Sequence, residues 1–463
     1  MNKLSFSFRF ILAFAITLIA IAARAETGDS SSPKAILFQN VYVFDGKSAE
    51  RRPEPVNVLV DQGQIQRISE EDVAPADDIP VQVIDGDGRT LMPGLIDAHW
   101  HSTLVKPTSM EALTSDIAYI HLVASNVAEA TLMRGFTSIR DMGGPSFGLR
   151  RVIEEGLVPG PRIFPSGAMI SQTGGHGDFR LPHEVPEPNN AGLNYADRVG
   201  VTAIADGADA VLKRVREQLM QGATQIKLMA GGGVSSMYDP IDVSQYTPDE
   251  LRAAVMAAEN WGTYVAVHAY TSRAVQMALE AGVKSIEHGQ LVDEETVRMM
   301  ARKNVWWSLQ PFIENELANP QTGPSRLKQI MVHQGTDRAF ELAKKHKVQV
   351  AFGTDMLGTG DYGDNQNALL VTMERWYTPG EALQIATGNN GRLIGLSGPR
   401  YPLPGPIGVI EEGAVADLLL VDGDPTEDLS LIAEPEANFR IIMKGGVIYK
   451  NTLGPSDSAT NGD

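Results

Sequence analysis

Two histidines stand two residues apart in the stretch LMPGLIDAHWHSTL, Leu91 to Leu104, directly after an apolar run. In a β-strand, residues i and i+2 point to the same face. A strand here therefore projects the imidazoles of His99 and His101 side by side, close enough to share one ion. Neutral imidazole is the commonest metal ligand, yet two histidines near a strand end serve equally well as polar surface. On this pair alone both readings stand. The chain has no cysteine, which excludes thiolate metal sites, disulfides and cysteine nucleophiles. Any metal must sit on histidine, carboxylate or a less usual ligand.

The elements that must position such a site come from the texture of the sequence. From Lys34 to Ala98, and again near the end in GVIEEGAVADLLLVDGDP and FRIIMKGGVIYKN, apolar and polar residues alternate between Asp-Gly and Gly-Gly turns. This texture specifies strands. Residues 34–92 and 396–450 are expected to assemble one small β-sandwich from both ends of the chain. Between them, over 93–395, short apolar runs alternate with helical patterns. Eight candidate strands follow in order: LIDAHWH, TSIRDMG, RIFPSG, QIKLMAG, YVAVHAY, SIEHG, VWWSLQ and VAFGTD. Strand and helix in alternation imply right-handed βαβ units, and eight of them close into an α/β fold of the (β/α)8 TIM-barrel type.

In such barrels chemistry sits at the C-terminal ends of the strands. His99 and His101 end the first strand, Lys227 lies on the fourth, His268 on the fifth, His288 on the sixth and Asp355 ends the eighth. Four of nine histidines thus share one rim with a lysine and an aspartate, which turns the opening ambiguity towards metal.

The motifs DAHWH, IKLMAGGG, VAVHAY, SIEHG and FGTD, in this order, resemble those of the amidohydrolase superfamily. The resemblance is greatest to its imidazolonepropionase-related, prolidase-like branch, whose members cleave dipeptides and N-acyl amino acids and include ochratoxin-degrading enzymes. It spans about Lys34 to Lys450. It implies two divalent metal ions, zinc being the first expectation. His99, His101 and Asp355 would hold the first ion, and His268 and His288 the second. Lys227, carbamylated by carbon dioxide, would bridge them. A water activated between the ions would attack the amide, and Asp355 would move its proton. His176, in the glycine-rich SQTGGHGD, is implied to meet the substrate near its carbonyl or carboxylate. Tyr270 shares the strand face of His268 and is a further substrate contact, as is Tyr238. His121 reads as a helix residue, and His183, His333 and His346 as surface groups. Trp306, Trp307 and Phe312 offer aromatic surface at the barrel mouth, with one tryptophan expected in the core. A mononuclear deaminase or a cyclic amide or lactone hydrolase on the same scaffold is the alternative. A ring deaminase, however, needs an acid where HAYT carries Thr271.

A net charge of −18 argues against nucleic acid or an anionic membrane surface as partner. A small-molecule or dipeptide substrate fits, and similar proteins are commonly homo-oligomers. The first 25 residues read as a signal peptide. Lys3 and Arg9 precede an apolar run from Phe10 to Ala23, and Ala23-Arg24-Ala25 resembles a cleavage site. An exported protein starting near Glu26, with no membrane span after cleavage, is the expectation.

Overall fold

The structure, a computed structural model, describes residues 35–73, 79–186, 192–236, 238–358 and 360–454. The expected signal peptide lies outside the described residues.

The alternating N-terminal segments form β1 (Ala35–Val43), β2 (Val56–Asp61), β3 (Gln64–Ser69), β4 (Val81–Asp85) and β5 (Thr90–Pro93). Ten strands follow: β6 (Leu95–Trp100), β7 (Phe136–Asp141), β8 (Arg162–Pro165), β9 (Met169–Ser171), β10 (Thr202–Ile204), β11 (Ile226–Met229), β12 (Val265–Thr271), β13 (Ser285–Leu291), β14 (Trp306–Leu309) and β15 (Val350–Phe352). The chain returns with β16 (Leu418–Val421), β17 (Phe439–Lys444) and β18 (Val447–Asn451).

The two ends meet where β5 pairs antiparallel with β16, Leu91 opposite Leu420. They form one eight-stranded sheet, β18-β17-β16-β5-β1-β2-β3 with β4 beside β1. The reason lies in β1, which slips register between Phe38 and Val41 at Asn40, whose φ is 55°. Its first half pairs with β4 and its last residues with β5. Phe38, Val41, Val58, Ile84, Leu420 and Ile441 share the core cluster of this sheet.

All eight strands anticipated for the central region are present and pair in parallel. They lie in two sheets, β6-β7-β8 and β10-β9-β11-β12-β13-β14-β15. β9 and β10 were not anticipated, because three residues are too few to show a period. The ladder breaks after Pro165, which has no amide hydrogen to donate, and Gly167 at φ 73° turns the chain into β9. At this seam Thr224 N donates to Pro165 O at 2.8 Å. At the other, Trp100 and Met356 form a parallel bridge, and Asp355 N donates to His99 O at 2.8 Å.

Helices between the strands follow from local signals. In Pro248–Glu259, Thr247 and Glu250 cap each other's backbone N–H, and Leu251, Ala254, Val255 and Ala258 are buried at helical spacing. Such faces pack on the outward residues of the strands, Val267 and Ala269 among them, in the largest core cluster. Inward-facing Ala98, Ala266, Ala351 and Trp306 form a smaller cluster inside the strands.

Candidate metal centre

The six rim residues come together. His99 and His268 occupy inward positions of β6 and β12, and Lys227 an inward position of β11. His101 follows β6, His288 lies on β13 and Asp355 follows β15. The ring centroids of His99 lie 5.4 Å from His101 and 5.0 Å from His288, and His268 lies 4.5 Å from His288. Lys227 Nζ is 3.5 Å from His99 Nε2.

Two of these residues sit at backbone positions that side chains seldom adopt. His288 has φ 75° and Asp355 φ 53°, a region that costs a non-glycine residue of order 1–3 kcal/mol. The reason is visible at β13. Consecutive strand residues normally face opposite sides, yet Glu287 and His288 both reach His99. The twist at His288 is held by Trp307 Nε1, which donates to His288 O at 2.6 Å.

Each imidazole is oriented through its far nitrogen. His99 Nδ1 donates to Glu287 at 2.9 Å, His101 Nδ1 to Gly143 O at 2.9 Å and His288 Nδ1 to the Gln310 side-chain oxygen at 2.8 Å. This hydrogen bonding leaves Nε2 of all three turned to the site, a lone pair wherever the imidazole is neutral. His268 is turned the other way, Nε2 donating to Gly232 O at 3.1 Å, so its Nδ1 is free. His99 Nε2 and His101 Nε2 then face the same oxygen, Asp355 Oδ1, at 3.1 and 3.2 Å. Lone pairs aimed at a carboxylate repel one another unless a cation lies between them. The donor set therefore fits a metal ion. The tightest trio, with donor atoms within 4.8 Å of one another, is His99, His288 and Asp355. It crosses the expected division, in which His288 belongs with His268.

Electrostatics agree with the hydrogen bonding. Burial holds His268 and His288 well below the usual histidine range, hence neutral. Burial pushes Lys227 down to about 8, against the pull of Glu287 and Asp355. Burial works to raise Asp355, but positive charge at the position between it and His99 and His101 overcomes this and holds the carboxyl well below its usual range. Its side chain is 23% exposed and faces a chamber of about 560 Å³.

Glu287 and Arg140 carried no spacing signal, and the sequence reading passed them over. Both are fully buried beneath His99, with Arg140 Nη2 2.7 and 2.8 Å from the Glu287 oxygens. The available clue was charge at apolar positions of TSIRDMG and SIEHG. Asp97 was missed likewise. It accepts from the backbone N–H of His99 and Thr354 and from the side chains of Thr354 and Gln366, tying β6 to the segment that carries Asp355.

His176 stacks on His268 at 4.0 Å between centroids, with Nδ1 2.7 Å from Ser236 Oγ and 3.6 Å from Asp239. Tyr270 stacks on His288 at 5.0 Å, and burial, with Asp355 nearby, keeps its hydroxyl protonated. Both line the chamber, as does the more exposed Tyr238. His333, expected at the surface, also lines it. The side chain is only 9% exposed, because the helix Gly323–His346 turns that face inward and Glu314 holds Nδ1 at 2.8 Å. His346 is likewise half-buried, 2.8 Å from Glu294, while His183 is exposed and His121 lies on the helix Ile117–Met133. Both tryptophans are buried. Trp306 lies inside the strands and Trp307 in the outer core, so of the three aromatics only Phe312 lines the chamber.

The comparisons with known proteins agree with this geometry. The profile described as "Amidohydrolase family" matches residues 90–450. Ochratoxinase of Aspergillus niger is 34% identical over 386 residues, covering 79% of this chain and 77% of that protein. A prolidase solved with N-methylphosphonate-L-proline superposes with a TM-score of 0.81 at 35% identity, over 90% of this chain and 100% of that one. A Xaa-Pro dipeptidase with methionine bound in its active site gives 0.77 at 28% identity, over 90% and 100%. With its histidine, lysine and aspartate cluster at the strand ends, the chain belongs to the amidohydrolase family, in its prolidase-like branch, and is a hydrolase of amide or peptide C–N bonds.

Proposed function

We propose that this protein is a two-metal hydrolase that releases an amino acid from a dipeptide or an N-acyl amino acid. The observation that carries the reading is the convergence of two imidazole nitrogens, His99 Nε2 and His101 Nε2, on one Asp355 oxygen. His99, His101, His268, His288 and Asp355 would hold the ions, with zinc the metal expected. Divalent ions supply two effects when bound: they acidify water and polarise a carbonyl.

Lys227 would bridge them as a carbamate. Only a neutral amine adds to carbon dioxide, and its lowered pKa of about 8 favours that form. The addition exchanges a costly buried cation for an anion with two donor oxygens. Asp355, ionised and open to the chamber, takes the proton of the attacking water and returns it to the departing amine. His176, steadied by Ser236, and Tyr270 with its proton retained hold the substrate carbonyl or carboxylate. Tyr238 is a contact at the entrance. Thr271 ends β12 where a ring deaminase needs an acid, so the deaminase alternative is disfavoured.

The two parallel sheets are read as one (β/α)8 barrel with seams at Pro165–Thr224 and Trp100–Met356. The domain division at 93 and 395, a homo-oligomeric state and export belong to the same reading. Among the described residues no helix is long and apolar enough to cross a membrane. N-terminal sequencing from the native host should give a start near Glu26, and retained Met1 would refute export. The activity is tested by amino-acid release from dipeptides and N-acyl amino acids with varied C-terminal residues. Release from at least one class is expected, and none from any would overturn the proposal.

A further inference from the structure

His176 stands in the loop after β9, but the groups that fix it come from other parts of the chain. The loop after β11 contributes Asp239, only 4% exposed. One oxygen of this carboxylate, Oδ2, gathers three nitrogens. It accepts from Gly233 N at 2.8 Å and from Gln245 Nε2 at 3.2 Å, and it lies 3.6 Å from His176 Nδ1. The buried Gln245 uses its other end, Oε1, to accept from the His176 backbone N–H at 2.9 Å. Ring and backbone of His176 are thus tied to the same carboxylate.

A third element closes the arrangement. Lys328, on the helix Gly323–His346, donates through Nζ to Ser236 O at 2.9 Å and to Asp239 O at 3.2 Å. Ser236 is the residue whose Oγ lies 2.7 Å from His176 Nδ1. A carboxylate is costly to bury without an opposite charge, and Lys328 is a cation that faces Asp239. Neither Asp239 nor Lys328 is among the described residues that line the chamber. Their effect on a substrate must pass through the groups they hold.

We infer that Asp239 and Lys328 are positioning residues that hold the His176 ring in place against His268, with Gln245 as the link to its backbone. The inference rests on His176 touching substrate, as proposed above.

The test is a pair of double-mutant cycles on the full-length, metal-loaded enzyme, with the best-cleaved dipeptide or N-acyl amino acid as substrate. Asp239→Ala and Lys328→Met should each lower kcat/KM by about 10-fold or more, the scale of a lost hydrogen bond to a charged group. In a His176→Ala background each should cost less than about twofold, because residues acting through one group are not additive. Equal losses in both backgrounds, or no loss in the parent, would overturn the inference. Lys328 is half-buried, so Lys328→Met keeps the test readable if Asp239→Ala does not fold. If no substrate is cleaved, the amide reading fails by itself, and crystal structures of the variants decide the inference separately. A His176 ring moved off Ser236 and His268 supports it, and an unmoved ring overturns it.

Discussion

Asp355 combines two demands that one substitution can separate. Asp355→Asn keeps the shape and one donor oxygen but removes the basic carboxylate, so kcat should fall by at least about 10²-fold, with metal content falling less. Parallel kinetics and elemental analysis check this. Lys227 gives a prediction in pH. Its folded pKa is about 8 against an ordinary 10.5, so unfolding takes up a proton between those values. Chelator-treated protein should gain stability as pH rises from 8 towards 10.5 and lose it as pH falls back, with little further change below 8. The full span is on the order of 3 kcal/mol. Urea unfolding at pH 8 and pH 10 measures it, and Lys227→Met should flatten the difference. The clustered residues were legible because each sits in a short motif at a strand end. Glu287 was not, since a single glutamate in an apolar strand has no spacing partner. His333 was misread because its helix, Gly323–His346, runs over the chamber, a tertiary fact that helical periodicity does not contain.

At the level of elements, the Arg140–Glu287 pair fastens β7 to β13 and orients His99 on β6 from below. Removing one partner strands a buried charge, so Glu287→Ala should cost about 3–5 kcal/mol in a chemical melt. Metal affinity should drop by about 10–100-fold, as when the group orienting a ligand is lost. The loop after β11 is as exacting. A Cβ at Gly233 would collide with the His176 ring, so Gly233→Ala should displace that ring from His268. It should lower kcat/KM on substrates with a free carboxylate more than on their amides, as His176→Ala should, with metal content unchanged. Steady-state kinetics on the two substrate classes measures this. Strand order was readable because apolar runs alternate with amphipathic helices. The break at Pro165 and the short β9 and β10 were not, being set by one missing amide hydrogen and by pairings of three residues. The left-handed backbone at His288 was equally hidden, and it alone explains how neighbours on β13 both face inward.

Across the whole molecule, an acidic chain without cysteine gathers its candidate ligands from five separate strands, β6, β11, β12, β13 and the end of β15. The sheet built from the terminal segments is joined to these strands, since β5 runs directly into β6 through Gly94. Ions that bound only when those strands are assembled would stabilise the fold as they completed the site. The pattern of strand-end residues made the family legible. The resemblance implied two ions and their division, and the tightest trio, His99, His288 and Asp355, unites residues that this division gives to different ions. The central claim is that two ions held by this cluster hydrolyse an amide. The most direct measurement is zinc titration of chelator-treated enzyme under carbon dioxide, following amino-acid release from a cleaved N-acyl amino acid. The account predicts no release at zero zinc and a rise that levels at two equivalents per chain. Full activity without metal, or a plateau at one equivalent, would contradict it.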